Sequence, residues 1–139
     1  MDQTKVVEGQ ARRGRAQGAK HERFTAGMAT LDPRLPEWAD GWIFGEVWAS
    51  DGTGFDDRML VAIVALAATN KPDQLRIYLH GALQDGIDPN RIHEALLMLT
   101  VYVGFPTALQ ALVVWQDVVL SARRRGVAVD VPVTDPQGG

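Results

Sequence analysis

The stretch Ala95–Gln116, ALLMLTVYVGFPTALQALVVWQ, carries no charged side chain over 22 residues. That length would cross a bilayer as one helix. Gly104-Phe105-Pro106 cuts it in half, and Thr100, Thr107, Gln110 and Gln116 interrupt its apolar run. Glycine ends helices and proline opens them. The stretch therefore reads as two buried helices meeting at a turn, not as a membrane span.

The same punctuation continues on both sides. Downstream, the second helix closes on Arg123-Arg124-Arg125-Gly126: basic residues at a helix C-terminus, then glycine. Upstream, Asp88-Pro89 opens the first helix with a cap and an N1 proline. Pro72 opens another helix that ends near Gly86. Asp56–Thr69 forms a helix with two acids in its first turn, and its run Met59–Leu66 is apolar all round. That run is expected to be buried on every side. A helix from about Pro36 to Trp48 and a short one over Glu22–Thr30 precede it. The loop Ser50–Gly54 separates helix from helix by composition. Short connections force antiparallel neighbours. The fold class is all-α, with about six helices in antiparallel hairpins.

The 139 residues are one domain's worth, and 46% are hydrophobic, enough for a core at this size. With 22% charged residues and a net charge of −3, the chain is neither disordered by composition nor basic enough for nucleic acid. It has no cysteine, hence no disulfide framework, thiolate metal site or redox thiol pair, and three histidines make a His-rich metal site unpromising. Residues 1–22 lack the apolar core of a secretory signal, so the expected location is cytoplasmic. Residues 1–21, with Arg12, Arg13, Arg15 and Lys20, read as a flexible basic arm. Residues 22–126 read as the helical domain and 127–139 as a tail. Two helices with almost no polar face exceed what one small subunit buries, so a homo-oligomer is expected.

The ordered set Gly45-Glu46-Val47-Trp48, Asp57-Arg58-Met59-Leu60, Gln74–Leu83, Asp85-Gly86-Ile87, Ile92–Leu97 and Val101–Pro106 resembles the carboxymuconolactone decarboxylase family. Arg23–Met28 resembles that family's N-terminal segment, and the likeness covers about residues 22–122. The resemblance implies an alkylhydroperoxidase D-like all-α subunit in a trimer or hexamer. It implies a cofactor-free lyase for a small lactone acid, converting 4-carboxymuconolactone to an enol-lactone. The peroxidase-like branch uses a Cys-x-x-Cys pair, which this chain lacks. Two positions depart from the decarboxylase pattern: Tyr78 stands for the usual His, and Leu109 for the usual Asn.

Decarboxylation without a cofactor needs a held and desolvated carboxylate, donors for the developing oxyanion, and an acid that protonates carbon. Arg58, at the start of the buried helix, suits a carboxylate, or else pairs with Glu46 or Glu94. Tyr78 falls on the face of Leu75, Leu79, Ala82 and Leu83, as a donor or weak acid or as a core aromatic. His80 lies about 200° round the helix from Tyr78 and is expected at solvent or a subunit contact. Glu94 heads a stripe with Met98, Val101 and Tyr102, as general base, partner of Arg58, or compensation of the helix dipole. The candidate catalytic set is thus Glu94, Tyr78 and Arg58. The candidate substrate contacts are Tyr102, Trp48, His80, His93 and Leu109; no metal or cofactor is assigned. Trp48, with Trp42 and Phe44, is core or pocket wall; His93 reads most simply as exposed. Leu109 in place of Asn makes a pocket less polar. Three functions remain open: a family enzyme with altered chemistry (decarboxylation, isomerisation or cyclisation, in the manner of natural-product tailoring), the ordinary catabolic decarboxylase, and a non-catalytic binding or scaffold oligomer.

Overall fold

A computed structural model describes residues 1–138 and contains no strand among them. Eight α-helices follow one another: α1 Gln3–Gln17, α2 His21–Leu31, α3 Arg34–Trp38, α4 Phe55–Ala68, α5 Pro72–Gln84, α6 Pro89–Leu97, α7 Leu99–Tyr102 and α8 Phe105–Arg124. A 3-10 turn at Gly18–Lys20 links α1 to α2. The helix expected from Pro36 starts at Arg34 and widens after Trp38 into a π-helix, Ala39–Val47. The helix expected from Pro89 to Gly104 is divided at Met98 into α6 and α7.

The capping residues act as their types require. Asp88 accepts from the Asn90 amide at 2.9 Å with Pro89 at the first turn. Gly104, at φ +117°, turns the chain between α7 and α8, a conformation that a side chain would strain. Helix α8 is the core's axis. Ala108, Ala111, Trp115, Val118, Val119 and Ala122 form its buried face, against Leu75 and Leu79 of α5 and Ile92 and Leu96 of α6. Burying each of the valine, leucine and isoleucine side chains among them contributes roughly 1.5–3 kcal/mol. By length and composition α8 could also cross a bilayer. Arg123 gathers the tail, donating to the carbonyls of Val129, Val131 and Val133.

Three expectations are corrected. Residues 3–17 are not a flexible arm: α1 lies across the π-helix and α5, backbone against backbone. A Cβ on Gly9 would meet the Asp40 carbonyl oxygen at 1.7 Å, and one on Gly81 would meet that of Ala16 at 1.9 Å. The arm's charges are used in docking: Arg12 donates to the Phe44 carbonyl, Arg13 to Asp40, and Arg15 to Asp85 at 2.7 and 3.0 Å. Met59–Leu66 is not buried all round: Met59 and Ile63 face the core while Val61 is 69% exposed. Nor are the two uncharged helices wholly buried. Val101, Tyr102, Phe105, Leu109 and Val113 leave an apolar stripe at the surface.

Candidate active site

A cleft of about 1070 Å³ opens between α2, α3 with its π-helical continuation, and α5, with α1 as its floor. Its apolar lining comes from several sides: Phe24 and Met28 of α2, Leu35 of α3, Ile43 of the π-helix and Ile77 of α5. Four of its five charged residues are cationic, Arg13, Lys20, Arg23 and Arg76 against Asp73, and Arg76 also pairs with Asp117 at 3.3 Å. Tyr78 lies on the α5 side, and Arg13 and Gln17 reach the cleft from α1.

The floor is a chain of hydrogen bonds with a forced direction. Arg13 is fully buried, and its Nε donates to Asp40 Oδ1 at 2.6 Å. Its Nη1 donates to Gln17 Oε1 at 3.1 Å. A guanidinium can only donate, so the Gln17 carbonyl oxygen must face it. The amide nitrogen then faces Tyr78 and donates to the phenol oxygen at 3.4 Å. With that oxygen accepting from Gln17, the Tyr78 proton is left to point elsewhere. Burial raises the Tyr78 pKa above the ordinary phenol value, against smaller opposing effects of Gln17 and Arg13. The group is therefore neutral and a donor at pH 7. His21 lies beside the buried pair. Burial, then the Arg13 charge, lower its pKa, and its Nε2 is buried without a partner among the described residues.

The other residues singled out by sequence lie elsewhere. Arg58 pairs with neither Glu46 nor Glu94. It donates to the carbonyls of Val47 at 3.0 Å and Ser50 at 2.8 Å, tying the loop after the π-helix to α4. Glu46 instead binds Lys5 at 2.8 Å. Glu94 is exposed on α6, at the head of the outer stripe with Met98, Val101 and Tyr102. His93 is half-buried, and its Nδ1 accepts from the Trp115 indole at 3.0 Å. With Leu109 it lines a small second cleft of about 290 Å³, which Pro132, Val133 and Thr134 border. Trp48 packs against the core between Phe44 and Phe55, at centroid distances of 4.7 and 5.7 Å. His80 is not at solvent: it is 8% exposed, because α1 and the Gly18–Lys20 turn cover the second face of α5. Burial, with Lys20, Arg125 and Arg76 nearby, lowers its pKa to about 4.

One subunit thus does not bring Glu94, Tyr78 and Arg58 together. Tyr78 faces the cleft, Arg58 a loop, and Glu94 the outer surface. The residues that do assemble around Tyr78 are Arg13, Gln17 and Asp40, none of which stands out in the sequence as a site residue. Gly9, Arg13, Ala16 and Gln17 form one buried face of α1, built of small and polar residues that a search for apolar periodicity misses. Glycines inside helices, at 9, 45 and 81, were the available signal of close packing. Among the described residues no group of three or more His, Cys, Asp or Glu is placed to hold a metal ion.

Residues 33–117 match the model of the carboxymuconolactone decarboxylase family. The chain is 25% identical over 118 residues to a 4-carboxymuconolactone decarboxylase of Acinetobacter baylyi, covering 84% of this chain and 88% of that protein. It is 28% identical over 78 residues to a nitrosuccinic acid decarboxylase of Metarhizium robertsii, covering 56% of this chain and 54% of that protein. The match to the family model spans more than half the chain and includes the π-helix, α4 to α7 and most of α8. This chain belongs to the carboxymuconolactone decarboxylase family.

Proposed function

We propose that the chain is a decarboxylase for a small acid whose carboxylate sits on a carbon next to a carbonyl or an equally electron-withdrawing group. The observation that carries this is Tyr78, a neutral donor in a cleft lined by cationic and apolar side chains. Lys20 or Arg23 would draw the acid in, and the apolar lining would strip water from its carboxylate. The bond to the carboxylate carbon breaks, CO2 leaves, and the electron pair moves into the neighbouring acceptor group. The Tyr78 hydroxyl donates to the oxygen where charge collects, and a proton from Tyr78 or water closes the reaction at carbon. Such a substrate needs no base to start, which suits a tyrosine where the family's usual His would stand. The electron sink lies in the substrate itself, so the step needs no added cofactor.

A second reading, the ordinary 4-carboxymuconolactone decarboxylase, draws support from the alignment with the Acinetobacter enzyme over most of both chains. One assay separates the two. The purified protein is given 4-carboxymuconolactone, nitrosuccinate and a set of small β-keto acids, and CO2 release is measured. Turnover of the β-keto acids or nitrosuccinate with little of the lactone supports the first reading; preference for the lactone supports the second. No CO2 from any of them overturns both and leaves a binding or scaffold role. We further propose that the exposed stripe from Glu94 to Val113 joins copies of the chain, since contiguous apolar surface of this kind marks interfaces.

A further inference from the structure

We propose that Gln17, held by the buried Arg13–Asp40 pair, is a positioning residue that sets the direction of the Tyr78 hydroxyl toward the cleft. The inference rests on the reading of Tyr78 as the donor to substrate, and it adds α1, which lies outside the segment matched to the family. Gln17 is 2% exposed, Arg13 is fully buried and Asp40 is 7% exposed, so water competes little for any of their bonds. Each bond fixes the next. Asp40 holds the guanidinium edge at 2.6 Å, and the guanidinium takes the Gln17 oxygen at 3.1 Å. The amide nitrogen is left to donate to Tyr78 at 3.4 Å. A buried amide flipped the other way would set its NH2 group against a guanidinium, two donors facing each other. The phenol oxygen therefore has an in-protein donor, and its own proton is free for an acceptor in the cleft. The charged groups around it are Arg13 and Asp40 below and Lys20, Arg23, Asp73 and Arg76 along the cleft.

Two variants test this by opposite means. Gln17→Leu removes the donor. Gln17→Glu keeps an oxygen for Arg13 but replaces the donor by a second oxygen, to which Tyr78 must turn its own proton. The chain has two tyrosines, so in a Tyr102→Phe background the phenol signal belongs to Tyr78 alone. Its ionisation is followed by absorbance, with a fluorinated tyrosine bringing the titration to a pH at which circular dichroism shows the fold intact. The expected result is that Gln17→Leu raises the Tyr78 pKa and Gln17→Glu raises it further. An unchanged titration in both variants overturns the proposal. Turnover of whichever acid releases CO2 gives the second readout. Gln17→Glu is expected to lower kcat by about tenfold or more with KM within about twofold, as for a misaimed donor. Full kcat in a folded Gln17→Glu protein overturns the positioning role. If Tyr78→Phe keeps full activity while the titration still responds to Gln17, the assignment of Tyr78 fails and the Gln17 bond stands.

Discussion

Gly9 of α1 lies against the backbone of Asp40 so closely that a Cβ on it would fall 1.7 Å from the Asp40 carbonyl oxygen. The same Cβ would meet the Gly45 nitrogen at 2.8 Å. Both obstacles are backbone and cannot swing aside. Gly9→Ala is therefore expected to push α1 off the π-helix and to cost about 3 kcal/mol or more. Thermal melting and the protection of α1 amides from exchange check this. An unchanged melting temperature would mean that α1 is not docked there in solution.

Breaking the ion pair beneath the cleft should cost more than an exposed one. Asp40→Ala leaves the Arg13 guanidinium buried without its carboxylate, and loss of one partner of a buried pair costs about 3–5 kcal/mol. Glu46→Ala removes the half-exposed partner of Lys5, a pair that solvent screens, and is expected to change stability far less. Urea unfolding of the two variants side by side measures the contrast.

Tyr78→Phe keeps the ring that packs against the core and removes the donor to the cleft. Loss of one preorganised donor to an oxyanion lowers kcat by about 10²–10³. Because the buried Gln17 amide loses its acceptor, stability is expected to fall by about 1–3 kcal/mol. CO2 release under saturating substrate gives the first quantity, calorimetry the second.

His80 ties stability to pH. Its folded pKa, about 4, lies below the ordinary imidazole value of 6.5. Above pH 6.5 it is neutral in both folded and unfolded chains and adds no pH dependence. As pH falls from 6.5 toward 4, the unfolded chain takes up the proton and the folded one does not, so stability drops, by at most about 3 kcal/mol. Below pH 4 both forms are protonated and the loss is complete. His80→Gln should flatten this part of the curve in urea titrations between pH 7 and 4. Equal slopes in both proteins would show that His80 titrates normally.

Val101 is 74% exposed and Tyr102 77% exposed on the outer stripe. If that stripe joins copies, Val101→Asp buries an unpaired charge in the contact and should lower the sedimentation coefficient to that of a monomer. A monomeric wild-type protein, or an unchanged assembly in the variant, would place the interface elsewhere.

The helical architecture was legible because its signals are local. Pro72, Asp88-Pro89 and the Arg-rich end before Gly126 act on their own helix ends, and the period of Leu75, Leu79 and Ala82 shows which side of α5 seeks the core. The position of Tyr78 on the inward face followed from the same angle arithmetic. Arg123 illustrates a limit: a basic residue in the last turn of α8 is what a helix C-terminus favours, but its hold on three tail carbonyls depends on where the tail returns.

What the sequence alone determined was the all-α class, the order and approximate bounds of the helices after residue 21, and the likeness to a decarboxylase family. Those rest on interactions between near neighbours in the chain. Tertiary structure alone decided that residues 3–17 form the floor of the cleft, that His80 is covered, and that Arg13, Gln17 and Asp40 stand in line with Tyr78. The physical reason lies in the kind of surface α1 buries. Its docking face is glycine, arginine and glutamine rather than leucine, so no apolar stripe announces it. A buried arginine becomes tolerable only where a distant part of the chain supplies the carboxylate, here 27 residues away.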